Sequence, residues 1–393
     1  MHDPAKEATP GSEAMPTYSL WQLVAYMLKL GAIGFGGPVA LVGYMHSDLV
    51  ERRRWISDAD YDEGMTLSQL APGPLATQLA IYIGYVHYGV LGATLAGVAF
   101  VVPSFLMVLG ISMAYVEFGG LVWMQSVFYG VGAAVIGIIA LSARKLTQKV
   151  IGKDRLLWLI YLVLAIVTIV TGTEYVALVL GAGVLVWLVR APPGSKPGGG
   201  ALAGLVGAPA LATASSLGTL GQIALFFSKA GAFVFGSGLA IIPFLYGGVV
   251  LEHRWLTEAQ FTDAVAVAMI TPGPVVITVA FIGYLVAGFP GAFVSAVATF
   301  LPCYLFTIVP APYMKKHGKA PAIAAFVKGV TAAAIGAIAG AVVVLAKNAI
   351  HDLPTALMAI AAALLLYRFK KLPEPAVILG AAALGLAIYP LMR

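Results

Sequence analysis

Met65-Thr66-Leu67-Ser68-Gln69-Leu70-Ala71-Pro72-Gly73-Pro74-Leu75-Ala76-Thr77-Gln78-Leu79-Ala80-Ile81-Tyr82 is an apolar, helix-forming stretch with a Pro-Gly-Pro triplet at its centre. Proline lacks the N–H that a helix needs, and its ring collides with the preceding turn, so the helix must stop and restart. Pro74 suits the first turn of the new helix. The restart leaves backbone N–H groups unpaired and aimed at whatever fills the gap. In lipid, such groups are tolerated only where protein buries them or a wet cavity meets them. The device returns as Pro272-Gly273-Pro274, a shift of 200 positions. Both triplets read as parts of a substrate site.

The surroundings fit that reading. The chain is 60% hydrophobic and 10% charged, with a mean hydropathy of +0.94, where soluble chains carry roughly a quarter charged residues. Apolar runs cover Leu156 to Val170, Tyr175 to Val189, Ala333 to Ala346, Thr355 to Leu366 and Ala376 to Leu391, as expected of a polytopic helical membrane protein. Met1 to Pro16 is polar and has no apolar centre, so it reads as a tail and not as a cleaved signal. Cys303 is the sole cysteine, which excludes an internal disulfide and a multi-cysteine metal site and suggests a small buried apolar residue. The net charge of +6 is spread over loops and fits membrane topology better than nucleic-acid binding.

Further along, the chain repeats itself. Lys229-Ala230-Gly231 matches Lys29-Leu30-Gly31, and Phe235-Gly236-Ser237-Gly238 matches Phe35-Gly36-Gly37-Pro38. Arg254-Trp255 matches Arg54-Trp55. Thr257-Glu258-Ala259-Gln260 is a full capping box at the position of Ser57-Asp58-Ala59-Asp60, itself an N-cap with acids in the first turn. One residue is lost near Gly283-Tyr284, and at the new offset of 199 Pro302 matches Pro103 and Gly329 matches Gly130. A register held this long is a duplication. The expected organisation is a tail (1–18), a first repeat (19–190), a Pro/Gly/Ala/Ser-rich linker (191–216) and a second repeat (217–393).

Each piece flanking the first triplet is about 14 residues, or roughly 21 Å of helix, too short to cross a bilayer that needs about 20 residues. Two such pieces suit a re-entrant hairpin. If both repeats carry one, Arg52 to Arg54, Arg144, Lys145, Lys149, Arg190, Arg368 and Lys370 share one side, which the positive-inside rule makes cytoplasmic. Glu117, Glu174, Glu252, Arg254, Lys347 and Asp352 fall on the other. The expected fold is therefore an all-α polytopic membrane protein of two inverted-topology repeats. Each repeat has about five crossing helices plus a re-entrant helical hairpin broken at Pro-Gly-Pro, an architecture of transporters.

Lys29 to Pro38, Glu51-Arg52-Arg53-Arg54-Trp55, Gln69 to Pro74 and their second-half partners together resemble the signature of the chromate ion transporter (CHR) family in its long, two-domain form. Ser237 departs from the glycine usual at that place. The resemblance implies export of chromate from the bacterial cytoplasm across the inner membrane, and chromate resistance. Sulfate is an isosteric dianion, so a transporter or channel for sulfate or another inorganic anion is the alternative.

An oxyanion calls for N–H donors, helix starts and one or two cations. The helix starts are Pro72, Gly73, Pro74 and Pro272, Gly273, Pro274. Polar groups beside them are Gln69, Thr77 and Gln78 in one half, Thr271 and Thr278 in the other. Lys29 and Lys229 lie inside apolar segments, where they either neutralise the dianion or snorkel to an interface. Gly36, Gly37, Gly236, Ser237 and Gly238 let backbone approach the ion or the broken helix, or serve packing alone. Arg54 and Arg254, each beside a tryptophan, suggest a structural or gating role, and Glu63 and Asp263 are the matched candidates for a gating or coupling carboxylate. Gly130, Gly137, Gly329, Gly336 and Gly340 read as helix-packing faces.

No enzyme motif, cofactor site or acidic metal cluster is evident. The expected partners are chromate or a sulfate-like oxyanion and the lipid bilayer, with no nucleic acid and with a homodimer left open. A dianion leaving a negative cytoplasm gains about 4.6 kcal/mol per 100 mV, so export driven by the membrane potential alone is expected.

Overall fold

A computed structural model describes residues 18–35, 37–118, 121–192, 218–233, 238–312, 321–369 and 372–391. The expected tail and nearly all of the expected linker lie outside these residues, as do Gly36, Gly236, Ser237 and Lys370. Among the described residues the chain is helical, with no strand.

Among the described residues, seven α-helices of the first half are answered in order by seven of the second. The first set is α1 (Leu20–Ile33), α2 (Gly37–Met45), α3 (Asp58–Leu70), α4 (Leu75–Phe118), α5 (Val122–Val150), α6 (Arg155–Thr171) and α7 (Val176–Arg190). The second is α8 (Thr219–Phe233), α9 (Ile241–Tyr246), α10 (Glu258–Ile270), α11 (Thr278–Ile308), α12 (Pro321–Ala349), α13 (Leu353–Arg368) and α14 (Glu374–Ile388). The apolar stretch from Leu20 to Met45 is not one helix: α1 ends at Ile33, and α2 begins only at Gly37.

Local chemistry sets the starts. The Ser57 hydroxyl accepts the Asp60 N–H (3.0 Å), and Thr257 and Gln260 cap each other reciprocally (3.0 and 3.2 Å). At the triplets, α3 stops at Leu70 and α10 at Ile270. Gly73 (φ 144°) and Gly273 (φ 95°) then take backbone conformations that a side chain would resist. Pro74 precedes α4, whose first backbone bond runs from the Gln78 N–H to the Pro74 carbonyl (3.0 Å). The second restart passes through a 3-10 turn, Val275–Ile277, before α11.

After each triplet the chain folds back on itself. A Cβ on Gly64 would collide with the Tyr82 ring, and the Thr278 hydroxyl donates to the Ala264 carbonyl (2.9 Å). Both contacts reach across the triplet, so α3 packs back on the start of α4, and α10 on the start of α11. A second reversal comes at Gly89 (φ 57°) and Gly288 (φ 61°), which divide α4 and α11 into two legs. Across these turns Gly84 packs on the Gly92 backbone and Gly283 on that of Gly291, approaches that leave no room for a Cβ.

The later helices are exchanged between halves. α6 and α7 pack on α12, while α13 and α14 pack on α5. Gly130 and Gly137 of α5 abut the carbonyls of Ala381 and Ala359, and Gly329, Gly336 and Gly340 of α12 abut those of Ala182, Tyr161 and Ala165. The expected packing faces do pack, and they do so across the repeat boundary. The second legs of α4 and α11 run against each other, with α1 and α8 on either side.

By length and apolarity, Val122–Val150, Pro321–Lys347 and Glu374–Leu391 can cross a membrane, and so can stretches within Leu75–Phe118 and Val275–Ile308, which the reversals at Gly89 and Gly288 divide. Shorter apolar helices accompany them, including Arg155–Thr171 and Val176–Arg190.

Candidate functional site

The two interruptions are chemically unequal. At the first, the amides of Leu75, Ala76 and Thr77 precede the first intrahelical bond of α4 and point out of its start. Thr77 and Gln78 are buried there (1% and 0% exposed). Gln78 Nε2 donates to the Pro72 carbonyl (2.8 Å), closing the ragged end of α3. Its Oε1 and the Thr77 hydroxyl are both buried without a hydrogen-bond partner. An unpaired buried hydroxyl costs about 1–3 kcal/mol, and three helix-start amides beside a free hydroxyl form a donor set suited to an oxyanion.

At the second interruption the threonine hydroxyls are used internally. Thr271 Oγ1 donates back to Val267 (3.0 Å), and Thr278 Oγ1 to Ala264 (2.9 Å). The expectation of bare amides needs correction at Gly273, whose N–H donates to the Gly34 carbonyl (2.9 Å). That bond crosses between halves, so nothing local foretells it. A small cavity remains, lined by Gly34, Phe35, Thr271, Gly273, Val275 and Glu374. Gly238, buried, packs on Val275 and Val276 at the same place.

The other candidates lie apart from this pair. Lys29 is exposed on α1 and Lys229 is half-buried on α8; among the described residues neither joins an ion pair. Gln69 is exposed on the last turn of α3, while Gly37 opens α2. Arg54 and Arg254 are exposed, and both are left-handed (φ 52° and 53°). The turns they close are pinned by the Trp55 N–H to the Leu49 carbonyl and the Trp255 N–H to the Val249 carbonyl, both 2.8 Å. Arg53 covers Trp55 (4.5 Å), and His253 stacks on Trp255 (4.3 Å). Glu63 keeps one buried oxygen unpaired, whereas Asp263 accepts from the Tyr115 hydroxyl of the other half (2.8 Å).

Sequence reasoning missed three residues at the interruptions. Glu374 lines the cavity from the start of α14. Ser104 and Cys303, related by the later offset of 199, touch the interruptions directly: Ser104 Oγ donates to Pro272 O (2.8 Å), and Cys303 lies against Gly73. For that pair the recurring offset was the available signal.

Comparison with known proteins bears on the family. The family model "Chromate transporter" matches twice, over residues 21–187 and 221–386. A chromate transport protein of Cupriavidus metallidurans is 66% identical over 99% of this chain and 98% of its own length. A probable chromate transport protein of Synechococcus elongatus is 62% identical over 95% of this chain and 97% of its own. One of Pseudomonas aeruginosa is 32% identical over 98% and 97%. No solved structure matches the chain. With both halves matched and apolar helices throughout, the chain belongs to the chromate transporter family and is a multi-pass membrane protein.

Proposed function

We propose that this chain exports chromate, a divalent oxyanion, from the bacterial cytoplasm across the inner membrane, confers chromate resistance, and is driven by the membrane potential. The relatives' names support the substrate. The observation that carries the site is the first interruption, where three helix-start amides meet a buried, unpartnered Thr77 hydroxyl. The second interruption, with Thr271, Pro272, Gly273, Pro274, Thr278 and Gly238, forms the opposite wall.

Two repeats (19–190 and 217–393) of inverted topology place one interrupted hairpin in each leaflet, re-entrant and broken at mid-depth. Support comes from the fold-back of α3 on Tyr82 and of α10 on Thr278. Lys29 and Lys229 neutralise the dianion as it passes, while Arg54, Glu63, Arg254 and Asp263 act in gating. A dianion moving down the potential gains about 4.6 kcal/mol per 100 mV, enough for about three decades of concentration ratio without a coupling ion.

The test uses proteoliposomes. An imposed potential without a proton gradient drives chromate accumulation, and Thr77→Val raises the chromate KM about tenfold, the scale of one strong buried donor. Indifference to the potential removes the driving force from this account. Full transport with Thr77→Val removes the site. Sulfate competing as well as chromate would move the substrate to sulfate-like dianions generally.

A further inference from the structure

We propose that Ser104 and Cys303 are crossed positioning residues: each ties the interruption of the opposite half to the long helix of its own half, so that the two interruptions open together. The proposal rests on reading the interruptions as the anion site and adds how they are coupled.

The two residues occupy equivalent places on the second legs of α4 and α11, and both are fully buried. Ser104 Oγ donates to the Pro272 carbonyl at 2.8 Å, with the Gly31 carbonyl more distant at 3.3 Å. The fit is tight, for a Cβ on Gly273 would overlap the Ser104 hydroxyl. Gly273 is also held by its amide to Gly34 of the first half. The second interruption is therefore fastened to first-half groups on two sides.

In the mirrored contact, a Cβ on Gly73 would come within 2.9 Å of Cys303 Sγ. A thiol is a weak donor, and the carbonyl it would need, that of Pro72, is already served by Gln78 from its own half. One crossing is thus a hydrogen bond and the other is packing alone.

The helices that carry these residues cannot shift singly. Gly31 abuts the Phe100 backbone and Gly231 that of Thr299, contacts too close for any side chain, and the two second legs pack on each other. Moving the α4 leg breaks the Ser104 bond at the second interruption and, through α11, withdraws Cys303 from the first. Close-packed interfaces of this kind switch between discrete arrangements and do not deform smoothly.

Cys303 is the only cysteine in the chain, so alkylation of the full-length protein by N-ethylmaleimide, without chromate, reads the first interruption. The expected result is slow alkylation of the wild type and a rate raised about fivefold or more by Ser104→Ala, the scale of one net hydrogen bond. If Ser104→Ala melts like the wild type and Cys303 reacts at the wild-type rate or slower, the interruptions move independently and the proposal falls. Should that variant fail to fold, Cys303→Ser carries the test. The Pro72 carbonyl has a second lone pair, so a hydroxyl, a stronger donor than the thiol, adds a tie at the first interruption and lowers chromate turnover at unchanged KM, while unaltered turnover overturns the proposal. Because alkylation needs no anion, a chain that proves not to bind chromate still answers the question of coupling.

Discussion

Arg54 and Arg254 occupy left-handed backbone at matched positions, a conformation that costs a non-glycine residue about 1–2 kcal/mol. Both close a π-helical turn, His46–Arg52 in one half and Gly247–Glu252 in the other, just before a capped helix. The backbone is held by the tryptophan amide one position on, not by the arginine side chain. Arg54→Gly is therefore expected to leave the melting temperature close to wild type, because relief of strain offsets the added freedom of the unfolded chain. Arg54→Val, β-branched in the same conformation, lowers stability by about 1–2 kcal/mol. Thermal melts of the two purified variants check this, and equal losses would mean that the side chain and not the backbone matters. The pairing of these arginines with tryptophan was visible in the sequence. Their backbone strain was not, since nothing in residue type alone forces an arginine to positive φ.

Among elements, the starts were legible and the destinations were not. Ser57 and Thr257 cap their helices through partners three residues away, and the Pro-Gly-Pro breaks act on their own turns, so both are matters of local chemistry. The glycines of α5 and α12 were legible as packing faces, yet their partners proved to be helices of the opposite half. At Gly329 a Cβ would strike the Ala182 carbonyl, a backbone atom that cannot rotate aside. Gly329→Leu is thus expected to split α12 from α7 and cost more than about 3 kcal/mol, as overpacking against fixed backbone does. Gly181, one position along α7 from Ala182, has open space for a Cβ, and Gly181→Ala serves as the tolerated control. Fluorescence-detected size exclusion after heating separates the two; equal behaviour would refute the close approach.

At the scale of the molecule, exchange of helices between halves means that neither half covers its own long central helix, α5 or α12. α5 has α13 and α14 around it, and α12 has α6 and α7. Expressed alone, residues 1–192 are expected to be degraded or to aggregate. Co-expression with residues 193–393 should restore a complex that co-purifies at full length, because the missing apolar faces are then covered. A stable, monodisperse first half would show that the exchange is dispensable.

By itself the sequence determined that this is an apolar helical chain, duplicated, interrupted twice at matched places and akin to chromate transporters. Those properties are written in composition, periodicity and residues that act within a turn or two of themselves. The tertiary structure alone decided which donors and acceptors stay free. The Gly273 amide was taken by Gly34, the Pro272 carbonyl by Ser104, and the Thr77 hydroxyl was left unclaimed. Each of these outcomes depends on which backbone the fold brings from the other half, and hydrogen bonds between such distant segments leave no periodic trace in the chain.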